Sequence, residues 1–144
     1  MSAVLTPELL QAADSFLDTD EQHEAASQLG RRLFETFGAD KEGRVSTQVR
    51  NLQQMAVSAT RFADVEDFVK NQMGKKTGPS REWRAVGDEI LKQLEKLRAE
   101  ANRLTADEGQ RLLLRLHLAR GWVRAVVGAY LYAKAQKEME QSHA

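Results

Sequence analysis

Apolar residues along this 144-residue chain recur at helical spacing, and nowhere in the two-residue alternation of a half-buried strand. The most apolar stretch runs from Thr105 to about Glu140. Leu112, Leu113, Leu114, Leu116, Leu118, Trp122, Val123, Val126, Val127, Tyr130, Leu131 and Tyr132 point in most directions around one helix. A helix that is apolar nearly all round is covered on several sides, so this segment is expected at the centre of a bundle. Thr105-Ala106-Asp107-Glu108 has the form of a capping box and sets its expected start. Gly121, Ala125, Gly128 and Ala129 are small enough to admit a neighbouring helix. Tyr130 and Tyr132 lie two apart and cannot share a face, so at least one belongs near the surface.

Before it, Ser80 is expected to cap a helix over 80–104. Trp83, Val86, Ile90, Leu94, Leu97, Ala101 and Leu104 are spaced three or four apart, a seam like that of a coiled coil. Together, 80–104 and 105–140 predict an antiparallel hairpin of two long helices. Upstream, Thr6-Pro7-Glu8 and Thr19-Asp20-Glu21-Gln22 open two helices over 6–37, and Gly38 is a natural C-cap. Ala39–Gly43 is a polar loop. Ser46 caps a helix whose inner stripe is Val45, Val49, Leu52, Ala56 and Ala59. Asp64 is expected to cap the next, with Val65, Phe68, Val69 and Met73 facing inward. The reading is all-α: one domain over 1–144, a bundle of five or six helices.

Charge changes this picture more than composition does. The formal net charge is zero, but its distribution is uneven. Residues 1–43 carry three Lys/Arg and nine Asp/Glu, a net of −6; residues 44–84 carry eight and four, a net of +4. An acidic pair of helices over 6–37 therefore precedes a basic middle over 44–84. There are no cysteines, so neither a disulfide framework nor a thiolate metal site is possible. Met1–Leu5 lacks the features of a signal peptide, and Arg115, Arg120 and Arg124 interrupt the longest apolar stretch. A cytoplasmic protein with no membrane contact is expected.

Catalytic chemistry has little to work with. His23, His117 and His143 are far apart, and no His-x-x-x-His or Glu-x-x-His pair exists. No metal, cofactor or enzymatic activity is expected. Gly74–Ser80 is a short basic loop with the wrong glycine spacing for a phosphate loop, and no buried strand precedes it. His117 is expected to be hydrogen-bonded and partly buried, and both tryptophans to anchor the core. Arg111 and Arg115 share one face of the last helix, Arg120 and Arg124 roughly the opposite one. Pairing with the acidic N-terminal helices is their first expected use.

The unusual feature is the run Arg44–Ala63, which holds no Asp or Glu. Thr47, Arg50, Asn51, Gln54, Ser58 and Arg61 form its polar face. Solvated helix faces ordinarily mix signs, whereas arginines, amides and hydroxyls together suit a polyanion backbone. An acidic protein surface would select the same residues. The stretch Ser46-Thr47-Gln48-Val49-Arg50 resembles the Thr-x-Gln-Ile-Arg helix start of the small all-helical subunits of type III CRISPR effector complexes. The arginine-studded Leu118-Ala119-Arg120-Gly121-Trp122-Val123-Arg124 is similar to their last helix. That resemblance implies a non-catalytic subunit stacked along a guide RNA–target duplex, beside other subunits and copies of itself, with Arg50 on the backbone. The expected contacts are Arg44, Arg50 and Arg61, then Lys75, Lys76, Arg81 and Arg84. The alternative is a helical protein-interaction or oligomerisation module that binds no nucleic acid.

Overall fold

The computed structural model describes residues 3–142, so His143 lies outside the described residues. Among the described residues six helices follow one another: α1 (Pro7–Leu17), α2 (Asp20–Phe37), α3 (Thr47–Ser58), α4 (Phe62–Gly74), α5 (Ser80–Leu104) and α6 (Glu108–Ser142). Four termini form as their sequence signals dictate. Thr6 and Thr19 accept from the N–H groups of Leu9 and Gln22, at 3.2 and 3.3 Å. Ser46 accepts from Gln48 at 3.1 Å, and Gly38, at φ 61°, closes α2 on the Phe34 carbonyl.

Three expected starts are displaced. The last helix begins at Glu108, not Thr105, because Asp107 is the better cap: its carboxylate accepts from the Gln110 N–H at 2.8 Å. An anion there also suits the positive end of the helix dipole. Thr105 is left to brace the turn, accepting from the Asp107 N–H at 3.2 Å. Likewise α4 starts at Phe62, which is drawn into the core, so Asp64 falls inside the first turn. From there its carboxylate reaches back to the Arg61 N–H at 3.2 Å. Ser80 is the first residue of α5, buried, and Pro79 precedes it as the N-cap without a side-chain bond.

Helix α6 packs against each of the other five. Its most extensive neighbour is α2, and the two meet closely at Gly30. A Cβ there would lie 2.3 Å from the Ala129 Cβ and 2.7 Å from backbone atoms of Val126 and Tyr130. The α5–α6 hairpin forms as expected around the short Thr105–Asp107 connection. Pairings such as Lys96–Glu21 and Arg32–Glu89 show α2 antiparallel to α5. Helices α3 and α4 form a second hairpin across the bundle. Arg98 of α5 grips it by pairing with Glu66 and lying 5.0 Å over the Phe62 ring.

Trp83 and Trp122 are both buried in the core, with Leu29, Leu33, Ile90, Leu94, Leu97, Leu114 and Leu118. Phe37 and Phe68 flank Trp83 at centroid distances of 5.1 and 5.6 Å, arrangements aromatic rings favour. Tyr130 is buried as well, and its hydroxyl accepts from the Ser46 N–H while donating to the Gly38 carbonyl. One phenol thereby fastens the end of α2 to the start of α3. Tyr132 is the surface tyrosine, 66% exposed.

The α6 arginines do not pair with the acidic helices. Arg111 donates to the carbonyls of Thr105 and Asn102, and Arg115 to the Asn102 side chain. Arg120 donates to the carbonyls of Ala56 and Ala59, at 3.1 and 2.6 Å. The competing partner is the helix C-terminus, whose last carbonyls lack intrahelical donors and carry the negative end of the dipole. Arg124 is exposed and makes no ion pair among the described residues.

Candidate nucleic-acid interface

The polar face of α3 is exposed as its sequence implies: Thr47, Arg50, Asn51, Gln54 and Ser58 all face solvent. What positions it is a polar contact inside the bundle. The Trp83 indole N–H donates to the Gln48 side chain at 2.9 Å. This ties the start of α3 to the start of α5, and Arg84 ties α5 to the end of α4 through the carbonyls of Met73 and Lys75. Arg44 and Arg50 therefore sit at the same end of the bundle as Lys75, Lys76, Arg81 and Arg84. Arg61 does not: it occupies the α3–α4 turn, about 17 Å away along a twelve-residue helix.

Acids from just outside the acid-free run fold back onto two of its arginines. Asp40 accepts from the Arg44 backbone N–H and from its guanidinium Nε, both at 2.8 Å, and Glu42 pairs with the same guanidinium at 3.3 Å. The Arg44 backbone N–H, with the Glu42 N–H and the Arg44 guanidinium, holds the Asp40 carboxyl below its ordinary pKa of 3.8. At the other end, Arg61 pairs with Asp64 at 2.8 Å, and that guanidinium holds the Asp64 carboxyl low in turn. The sequence signal was present but lay beyond the run's edges, at offsets of four before Arg44 and three after Arg61.

The seven candidate cations thus divide. Arg44 and Arg61 are held by carboxylates, and Arg84 is committed to carbonyls. Among the described residues the Arg50 guanidinium hydrogen-bonds only the Thr47 hydroxyl, at 3.3 Å. Lys75, Lys76 and Arg81 are exposed and form no ion pair among the described residues. Gly78, at φ 75°, supplies a turn between the two lysines and Arg81.

A second polar region lies at the α1–α2 corner. His117 meets Asp14 at 2.9 Å and His23 meets Asp18 at 3.0 Å, around a cleft that Arg124 borders. The expected hydrogen bond and half-burial of His117 are both present. Among the described residues no group of three or more His, Asp or Glu is placed to hold a metal ion. No helix among them is long and apolar enough to cross a membrane. No protein-family model matches the chain, and neither a curated protein nor a solved structure matches it.

Proposed function

We propose that this chain is a non-catalytic helical subunit of a ribonucleoprotein, gripping an RNA backbone without reading its sequence. The observation that carries the proposal is the group Arg50, Lys75, Lys76 and Arg81 at one end of the bundle, none of them ion-paired among the described residues. The amides and hydroxyl of Thr47, Asn51 and Gln54 lie beside it on α3. Guanidinium, ammonium and amide donors of this kind fix register on phosphates and sugars but carry no base readout. The resemblance of Ser46–Arg50 to the small subunits of type III CRISPR effector complexes supports the same reading. It supplies the expected setting: guide and target RNA, other protein subunits and further copies of the chain; the cytoplasmic location is expected from the sequence features alone.

Fluorescence anisotropy with labelled single-stranded and duplex RNA tests this directly. Binding is expected to be indifferent to sequence and to weaken with salt. Arg50→Glu combined with Arg81→Glu should lower affinity at least about tenfold while leaving the helical circular dichroism unchanged. An unchanged affinity in that variant removes the proposed face. A wild-type chain that binds no RNA at low salt favours the protein-interaction module instead.

A further inference from the structure

The outer face of α6 has two halves. The first is covered by α1, which runs along it in parallel. Gln110 donates to the Val4 carbonyl, His117 meets Asp14, and a Cβ on Gly121 would lie 2.6 Å from Leu17 Cδ1. Leu17 thus sits directly over Gly121. There α1 ends, but the face continues. Ala125, Gly128, Tyr132, Ala135 and Met139 follow at intervals of three and four, on one side of the helix, and all are exposed. Leu131 lies beside them. Leu131, Tyr132 and Met139 are exposed by 43, 66 and 61%, a concentration of apolar surface that solvent does not favour.

Gly128 is the telling position. It stands one heptad after Gly121, in the middle of a 35-residue helix, where glycine is the poorest choice after proline. Among the described residues, its chain neighbours and its own helix backbone aside, nothing lies within 4 Å of the place its Cβ would occupy. Gly121 has Leu17 above it; Gly128 has an equivalent recess and no occupant.

We infer that a second copy of this chain covers the face, its α6 running antiparallel about a two-fold axis. The sequence is complementary to itself in that arrangement. Placing Tyr132 of the partner subunit over Gly128 also places Tyr132 over the partner's Gly128, large on small at both sites. The same register sets Ala125 against the partner's Ala135 and brings the two copies of Leu131 together across the axis. On the flanks, Arg124 faces the partner's Glu138, twice by symmetry. Among the described residues Arg124 makes no ion pair and Glu138 pairs only with Lys134. Charge complementarity therefore selects the antiparallel copy as the occupant. In this register the uncovered stretch that pairs runs from Ala125 to Ala135, about three turns, at the small end of specific interfaces, so a weak, reversible dimer is expected. It does not depend on whether the Arg50 group meets RNA.

Sedimentation equilibrium on the nuclease-treated full chain tests the inference. A reversible monomer–dimer equilibrium that stops at the dimer is expected. Arg124→Glu and Glu138→Arg should each weaken it about tenfold, and combining them in one chain should restore it, because both flanks then pair again with reversed sign. Tyr132→Ala should abolish it without lowering the melting temperature of the monomer. A chain that stays monomeric at its highest soluble concentration overturns the inference. So does a dimer indifferent to these changes, or assembly that grows beyond two, which is the mark of a head-to-tail contact.

Discussion

Gly30 and Gly128 both interrupt long helices, yet their surroundings assign them opposite roles. At Gly30 a methyl group would meet the Ala129 Cβ and the α6 backbone, neither of which can swing aside. Gly30→Ala is expected to destabilise the fold by at least about 2 kcal/mol, read by urea denaturation, despite the better helix propensity of alanine. Gly128→Ala has open space and should stabilise the dilute monomer by up to about 1 kcal/mol. Asp40 offers a test by pH. Its carboxyl is held below 3.8 in the fold, chiefly by the Arg44 N–H, so the ionised form is the one that favours folding. That contribution is complete above 3.8 and is lost as the pH falls through the lowered folded-state value. Asp40→Asn should therefore melt below wild type near neutral pH, and the gap should close only once the pH has fallen through that lowered value. A gap that persists there would mean that shape, not charge, holds the loop.

Among the elements, the helices themselves were legible and their polar fastenings were not. The seam from Trp83 to Ala101 is buried throughout, and the Val49–Leu52–Ala56 stripe faces the core, because apolar spacing directly reports which side of a helix is covered. Helix ends obey a closer competition. Thr105 and Asp107 both offer an oxygen, and only the folded turn decides that the carboxylate caps α6. Asp107→Ala should cost about 1 kcal/mol and Thr105→Ala clearly less. The four arginines of α6 were legible as needing partners, but carbonyls are present in every residue and leave no mark in sequence. Arg120 satisfies two at the end of α3, linking the helix that carries Arg50 to the central helix. Arg120→Ala is expected to destabilise by about 2 kcal/mol, since it strands those acceptors in a half-buried setting, with Arg120→Lys recovering part of the loss. Chemical denaturation of the three chains would rank them.

At the scale of the molecule, the basic middle of the chain is legible as a tendency but not as a surface. Sequence places Arg44, Arg50 and Arg61 on one acid-free run; the fold brings Asp40, Glu42 and Asp64 to two of them and moves Arg61 to the far turn. Conversely, Arg50 and Arg81 are 31 positions apart, and the fold joins their helix starts through the Trp83–Gln48 bond and the packing of α4 on both helices. That difference has a measurable consequence for RNA. Each phosphate neutralised on a single strand contributes about −0.7 to the slope of log K against log salt. Seven engaged cations would give a slope of about −5, whereas Arg50, Lys75, Lys76 and Arg81 alone give about −3. The arginines already paired with carboxylates gain little from a phosphate, because they would exchange one anion for another. A slope near −3 is therefore expected, falling to about −1.5 when Arg50 and Arg81 are neutralised as glutamines. Neutralising Arg44 and Arg61 in the same way should leave it nearly unchanged. A slope that responds equally to both pairs would show that the carboxylates release their arginines to the nucleic acid.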